Sequence, residues 1–129
     1  MNSLQKEIIL KQLHSSSKNF KIRFEKVKIY FKELKNLPIL RVPYKNIYNP
    51  NYLDFMILCK TKNIKDKLFK YLLLRGYETR YYTYRDCSTL KIYKKFNKKQ
   101  KYENSKKIAD TVLLLPCHSN YSNYQIRKI

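Results

Sequence analysis

The middle of the chain changes its hydrophobic period twice. Residues 52–59 are rich in apolar and aromatic side chains, and the period of two predicts a strand whose buried face is formed by Leu53, Phe55, Ile57 and Cys59. Asn63 is then a candidate N-cap for a helix. The residues after Asn63 that recur at helical spacing are Ile64, Leu68, Tyr71, Leu72 and Arg75.

Gly76 is the only glycine in the 129 residues, and it predicts the end of that helix. Glycine adopts the left-handed conformation of a helix C-terminus without a Cβ penalty. Residues 77–84 then contain two threonines and four tyrosines, a composition typical of strands. We therefore predict a strand–helix–strand unit over residues 52–84.

The first part of the chain carries one long helical pattern. Leu13, Phe20, Val27 and Leu34 recur every seven residues. Leu10, Phe24 and Phe31 lie beside them on the same helix face. The pattern keeps its phase through the serines at 15–17, so we predict one helix over residues 10–34 rather than two. Such a stripe is typical of packing against a sheet or another helix. Its N-terminal half has little else in this chain to cover it, so binding to a partner is an alternative.

Prolines, caps and short apolar runs predict the remaining elements. Three of the four prolines fall within residues 36–51, which leaves at most a short extended piece at 39–42. Asn104 or Ser105 is predicted to cap a helix that runs to about Val112. The other predictions are a turn at 85–88, a short helix at 90–96, a charged loop at 97–101, a buried run at 113–115 stopped by Pro116, a polar turn at 119–122 and a helix over 124–129.

Length and composition fit one cytoplasmic domain. A chain of 129 residues can bury a core without disulfide or metal staples. The three cysteines, Cys59, Cys87 and Cys117, are odd in number and show no C-x-x-C spacing, so neither a disulfide framework nor a zinc ribbon is predicted. No run of about 18 apolar residues is present. Lysine and glutamate interrupt the first apolar residues, which argues against a signal peptide.

The formal net charge of +20 has two interpretations. Basic surfaces bind nucleic-acid phosphates without sequence preference, and the many tyrosines could stack on bases. However, lysine, asparagine, isoleucine and tyrosine are abundant together while glycine is nearly absent, which is the composition that AT-rich coding produces. We therefore expect at most weak, nonspecific binding to nucleic acid.

The other reactive side chains do not form a recognisable catalytic or metal-binding pattern. Cys117 and His118 are adjacent, and adjacent residues of an extended chain point to opposite faces. His14 has no carboxylate or cysteine at ligand spacing, so no metal site is predicted. Four aspartates show no spacing that suggests acid–base work: Asp54, Asp66, Asp86 and Asp110.

Several stretches resemble one protein family in the same order along the chain. Residues 103–129 carry a helix with Ala109, a Leu-Leu-Pro segment, a polar turn and a final helix, and residues 75–80 (RGYETR) place a helix-ending glycine before a Thr-Arg strand start. In the long helix, the matching positions are Gln12, Leu13, Arg23, Tyr30 and Leu34. Together these stretches cover residues 8–129, and they resemble the C-terminal part of the DegT/StrS-type nucleotide-sugar aminotransferases.

The resemblance implies an α+β fold, the small domain of fold-type-I aminotransferases, with a long N-terminal helix and a small antiparallel or mixed sheet packed with helices. Residues 1–36 correspond to the helix that links the two domains of the parent fold, and residues 37–129 to the small domain, effectively one domain. In the family, the large domain binds pyridoxal phosphate and supplies the Schiff-base lysine. This chain has no similar lysine context and no glycine-rich phosphate loop, so no cofactor is expected in this chain alone.

Three residues are carried over from the family as candidates to face a substrate: Thr79, Arg80 and Tyr84. Thr79 and Arg80 match the family pattern, whereas Tyr84 lies in a segment that lacks the family's proline. The guanidinium of Arg80 suits a phosphate or carboxylate group. A strand arginine that simply faces solvent is the alternative interpretation.

These observations predict a truncated or split aminotransferase-like protein of an amino-sugar and polysaccharide biosynthesis family, which is not a transaminase by itself. Its expected partner is a separately encoded large domain or a second copy of the chain. A decayed remnant without activity fits the same sequence. A small basic nucleic-acid-binding protein and a protein-interaction module that uses the helix stripe are the rival hypotheses.

Overall fold

A computed structural model describes residues 2–45, 47, 52–81, 84–96 and 102–129. A short 3₁₀ turn over Cys87–Thr89 connects two of the elements. The helices are α1 (Ser3–Leu34), α2 (Lys62–Leu74), α3 (Lys91–Lys94), α4 (Glu103–Thr111) and α5 (Asn123–Lys128), and the strands are β1 (Leu40–Arg41), β2 (Asp54–Cys59) and β3 (Val112–Pro116). The α+β class predicted from the sequence is confirmed. The charged loop predicted at residues 97–101 lies outside the described residues.

Helix α1 is continuous over 32 residues, as the unbroken apolar phase predicted. It begins at Ser3, seven residues earlier than predicted, because Asn2 and Gln5 form a capping box in which each side chain accepts the other's backbone N–H at 2.9 and 3.0 Å. The serines do not interrupt the helix. The hydroxyls of Ser15 and Ser16 donate to backbone carbonyls of the preceding turn, so their polar groups are satisfied within the helix.

The three strands form an antiparallel sheet in the order β1-β2-β3. β1 is the short extended piece predicted around residues 39–42, and Leu40 lies opposite Cys59. In the longer ladder, Phe55 lies opposite Leu115, so the predicted strand and the predicted buried run pair with each other. The predicted strand over residues 52–59 is confirmed from Asp54 onward.

The second strand predicted over residues 77–84 is wrong. Only Arg80 pairs with the sheet in the described part of this segment, through two hydrogen bonds of 3.1 and 3.3 Å with the backbone of Leu114. The backbone donors before it are already used, because Tyr77 N–H donates to Leu72 O and Glu78 N–H donates to the Tyr121 hydroxyl. Tyr82 and Thr83 lie outside the described residues.

Three helix ends were predicted from capping residues, at Asn63, at Gly76 and at Asn104 or Ser105, and two of them need correction. Gly76 has a φ of +74° and follows the end of α2, as predicted. Asn63, however, is not the N-cap of α2, since the extended Thr61 accepts the N–H of Ile64 at 3.3 Å. Neither Asn104 nor Ser105 caps α4, which follows Tyr102 without a side-chain cap. The Ser105 hydroxyl donates to the Asp86 carboxylate instead.

The core lies between one face of the sheet and the C-terminal half of α1. Tyr30 stacks on Phe55 with a ring-centroid distance of 5.2 Å, and its hydroxyl donates to the carbonyl of Pro116 at 3.1 Å. The other buried members of this cluster are Val27, Tyr52, Ile57, Cys59, Leu72, Leu113, Leu115, Cys117 and Ile126. Leu53 was predicted to join them but is 55% exposed, because it precedes the first paired residue of β2 and the alternation does not extend to it.

The N-terminal half of α1 extends beyond this core. Val27 is fully buried and Phe24 packs against the core, whereas the large apolar residues from Leu4 to Phe20 are between 40% and 64% exposed. We call these residues the N-terminal α1 surface: Leu4, Ile8, Ile9, Leu10, Leu13 and Phe20. The stripe that looked continuous in the sequence is therefore covered in its second half and uncovered in its first.

Phe55 and Leu74 offer a matched pair of large-to-small substitutions. Phe55 is fully buried beneath Tyr30, so Phe55→Ala should lower the free energy of unfolding by about 3–5 kcal/mol through lost burial and a cavity. Leu74 is 87% exposed, so Leu74→Ala should change it by less than about 0.5 kcal/mol. Urea unfolding measures both. Equal effects of the two substitutions would contradict this description of the core.

The three free cysteines should differ sharply in reactivity. Burial raises the pKa of the Cys59 thiol to about 11 and that of the Cys117 thiol to about 12, whereas Cys87 is exposed. Because the thiolate is the reactive form, one thiol per chain should react with an aromatic disulfide reagent at pH 8 before unfolding, and three in denaturant. Cys87→Ser should remove the native-state reaction. Rapid labelling of that variant would show that the core is open.

Candidate functional site

Arg80 is held at the outer edge of the sheet by its backbone pairing with Leu114. From there its side chain crosses β3, and Nη1 lies 3.2 Å from the Asp54 carboxylate on β2. The side chain of Asp54 is only 13% exposed, but that of Arg80 remains 45% exposed. A guanidinium has five N–H donors, so Arg80 can contact an anionic group from solvent while it keeps this ion pair.

The electrostatics of the pair are set mainly by burial. Loss of water raises the pKa of the Asp54 carboxyl, the nearby Arg80 guanidinium opposes the rise, and the Glu78 carboxylate adds to it. Burial therefore disfavours the charged form of Asp54, and the Arg80 guanidinium offsets part of that cost. This ion pair fixes Arg80 in place rather than leaving it as a freely moving surface arginine.

Thr79 and Arg80 lie together, as their adjacency requires, but their side chains are in different environments. The Thr79 hydroxyl oxygen is buried and has no hydrogen-bond partner within the described ranges. Such a group costs about 1–3 kcal/mol unless water or a ligand satisfies it. Thr79 is thus a position where a polar group from outside these residues would be stabilised.

The structure does not place Tyr84 at the Arg80 site. Tyr84 is 44% exposed and lines a separate cavity together with Lys65 and Tyr81. Neither Arg80 nor Asp54 borders that cavity. The three residues that the family resemblance put forward as one group therefore divide into two places on the domain.

His118 completes the polar surroundings of this sheet edge. Its Nε2 lies 3.5 Å from the Glu78 carboxylate, and its ring lies against the ring of Tyr121 at 4.7 Å. Cys117 is fully buried, and its thiol points toward the Leu115 carbonyl at 3.9 Å. The adjacent cysteine and histidine thus have different partners, which is not the geometry of a nucleophile and its base.

Two functional candidates were missed in the sequence although each carries a signal. Asp54 precedes Phe55 in β2, so the strand period of two places it on the face opposite the buried Phe55. Lys65 lies seven residues before the buried Leu72 and so shares its helix face, and only 2% of Lys65 is exposed. Its Nζ donates to the Ala109 carbonyl at 2.9 Å and lies 3.9 Å from the ring centre of Tyr81.

No group of three potential metal ligands occurs among the residues that the structure describes. In the same residues, no helix has the length and apolar character that crossing a membrane requires.

The fold is similar to that of several solved sugar-modifying enzymes. The aminotransferase TlmJ from Streptoalloteichus hindustanus superimposes with a TM-score of 0.74 at 20% identity, over 92% of this chain and 31% of that chain. DesV from S. venezuelae, in complex with a ketimine intermediate, gives 0.79 at 18% identity, over 94% of this chain and 32% of that chain. At these identities the similarity shows the fold alone.

A third structure of similar fold contains a PLP-glutamate geminal diamine. A GDP-4-keto-6-deoxymannose-3-dehydratase with a trapped PLP-glutamate geminal diamine superimposes with a TM-score of 0.74 at 16% identity, over 92% of this chain and 32% of that chain. This chain therefore spans about a third of the length of these three structures.

No curated protein sequence matches the chain. The family model, in contrast, matches the whole of it, from residue 1 to residue 129. The resemblance noted in the sequence and the fold of the described residues agree with this match. The chain belongs to the DegT/DnrJ/EryC1/StrS aminotransferase family.

Proposed function

We propose that this chain is the small domain of a sugar aminotransferase and acts together with a large domain that holds pyridoxal phosphate. That large domain would be supplied by a neighbouring reading frame or by another part of the same polypeptide. By itself the chain would not be a transaminase. The family match and the coverage of about a third of the solved structures support this proposal.

The N-terminal α1 surface is the observation that carries the proposal. Leu4 and Ile8 are four residues apart and share one side of the helix, while Leu10 and Leu13 are three apart and share nearly the opposite side. A helix segment that is apolar on more than one side is typical of a buried helix. A domain that encloses the segment fits this distribution better than one flat partner surface.

Helix energetics give the same expectation. The first half of α1 has little tertiary packing in the described chain, since coverage of its buried face begins near Val27. Helical segments without packing are marginal in water, because propagation gains little per residue. The leucine and isoleucine side chains of this surface are about half exposed, so covering each of them would contribute roughly half of the ~1.5–3 kcal/mol of a full burial. A covering domain would therefore both order this segment and gain affinity from it.

The residues of this chain do not fit pyridoxal phosphate by themselves. Gly76 is the only glycine of the chain. It ends α2 and its N–H donates to Leu73 O, so it does not contribute to a phosphate-binding loop. Lys65 is the buried lysine nearest a cavity, but its amine already donates to Ala109 O. We therefore assign no step of the reaction to a cofactor held by this chain.

Within an assembled enzyme, we infer that the Arg80 edge of the sheet faces the substrate. Arg80 is fixed by Asp54 yet partly exposed, and the neighbouring Thr79 hydroxyl oxygen is buried without a partner in the described residues. An anionic group, such as a phosphate or carboxylate of a substrate, is the chemistry that this pair could hold. Tyr84 would take no part in that contact.

A substitution on α1 tests the association. The chain should co-purify with the large domain encoded immediately before it, and Leu13→Asp should weaken that association at least tenfold, because it places a carboxylate in an apolar contact. Asn63→Asp introduces the same charge at an exposed polar position outside α1 and should change the association less than twofold. Equal weakening by both substitutions, or no association, would refute the proposal.

Cofactor titration tests the claim that the chain lacks its own site. Mixing the purified chain with pyridoxal phosphate should give no saturable visible absorbance band that depends on one lysine, because solvated lysines are protonated and react only weakly. The critical variant is Lys65→Met, and Lys67→Met on the exposed side of α2 is its control. A band lost only in Lys65→Met would mean that the chain does bind the cofactor as an aldimine.

A further inference from the structure

A basic cavity of the described domain has neither Arg80, Thr79 nor Asp54 in its lining. It has a volume of about 400 Å³ and lies between the first turn of α2, the segment at residues 84–90 and α4. Four cationic side chains line it, Lys62, Lys65, Arg85 and Lys106, together with two carboxylates, those of Asp86 and Asp110. Four positive and two negative groups leave a formal charge of +2 on its walls.

The positive groups have few counter-charges. No ion pair joins Lys62, Arg85 or Lys106 to a carboxylate anywhere in the described residues. Asp86 also lines the cavity and is close enough to Lys106 to interact with its charge, but one of its carboxylate oxygens is occupied by neighbouring donors. Its carboxylate accepts the N–H and the hydroxyl of Ser88 at 3.1 and 2.6 Å and the hydroxyl of Ser105 at 3.3 Å. Those bonds, the Ser88 hydroxyl first, lower the pKa of Asp86.

Lys65 makes the uncompensated charge unusual, because it is buried. Its ammonium has three N–H donors, and the Ala109 carbonyl and the face of Tyr81 are its close partners among the described residues. Burial lowers the pKa of Lys65, while Asp66 and Asp110 oppose the shift. The Tyr81 hydroxyl donates to Asp66, so that carboxylate is shared rather than devoted to the lysine.

The position of Lys62 and Lys65 on α2 adds to the excess of positive charge in the cavity. Lys62 is the first residue of the helix, Lys65 lies one turn into it, and the first turn has no acidic residue. The N-terminus of a helix carries partial positive charge, so cations there repel the helix dipole and favour an anion. In the cavity itself, an anion would meet Lys62, Arg85 and Lys106, none of which forms an ion pair with a carboxylate in the described residues.

We propose that this cavity binds a small phosphate-bearing anion through Lys62, Arg85 and Lys106. Phosphate geometry suits the arginine fork, and lysines bind it as point charges. Tyr84, which also lines the cavity, adds a hydroxyl donor, whereas the Thr89 hydroxyl already donates to the Asp86 carbonyl at 2.8 Å. The phosphate source is either inorganic phosphate or a small phosphate ester. This inference is independent of the proposed function and concerns a separate cavity.

The test is a titration of the full chain with inorganic phosphate, pyrophosphate and glucose 1-phosphate, followed by ¹⁵N-correlated NMR at constant ionic strength. Saturable shifts should cluster at residues 62–65, 84–90 and 106–110. Lys106→Gln should weaken phosphate binding roughly ten- to a hundredfold, the size of one lost hydrogen bond to a charged group. Lys107→Gln, which removes the same charge from the next residue of α4 but lies outside this cavity, should weaken it less than twofold.

Each outcome is decisive. Tighter binding of the ester than of inorganic phosphate would identify a small-molecule ligand, and the reverse order would identify the free anion. Equal losses in Lys106→Gln and Lys107→Gln would show diffuse attraction to the +20 charge and overturn the site. Binding to duplex DNA that displaces phosphate and weakens equally in both variants would favour a nucleic-acid surface and also overturn it.

Discussion

The contact of Tyr30 with the sheet determines how the rest of this structure is arranged. Its ring stacks on Phe55, and its hydroxyl donates to Pro116 at the end of β3, so one side chain joins α1 to both long strands. The two buried strands and the second half of α1 form one core around it. Because α1 is continuous through its serines, fixing its second half also places its first half beyond that core.

This geometry connects the fold to the family. The apolar residues in the first half of α1 are exposed, and the chain spans about a third of the length of solved structures with similar folds, two observations that support the proposed association with a large domain. The same core positions the edge of β3, where Arg80 pairs with Leu114 and reaches Asp54. The packing of α1 and the placement of the candidate substrate-facing arginine thus depend on one set of buried residues.

The sequence predicted what depends on local pattern, and it failed where distant groups compete for the backbone. The long helix, β2 and the Gly76 helix end follow from periodicity and from glycine conformation. The strand over residues 77–84 did not form, because two N–H groups that a ladder would need have other acceptors. Tyr77 N–H donates to Leu72 O, and Glu78 N–H donates to the hydroxyl of Tyr121, which lies 43 residues after Glu78.

The candidate site divides in the same way. Thr79 and Arg80 came from a family resemblance, and no local pattern shows that Asp54 would pair with Arg80 across β3 or that Tyr84 would face another cavity.

Hydrogen exchange along α1 in the isolated monomer tests the central claim most directly, with residues 27–34 as internal reference. We predict rapid exchange over residues 3–14 and slow exchange over 27–34. Slow exchange over both would mean that the helix is already covered, and it would contradict the account.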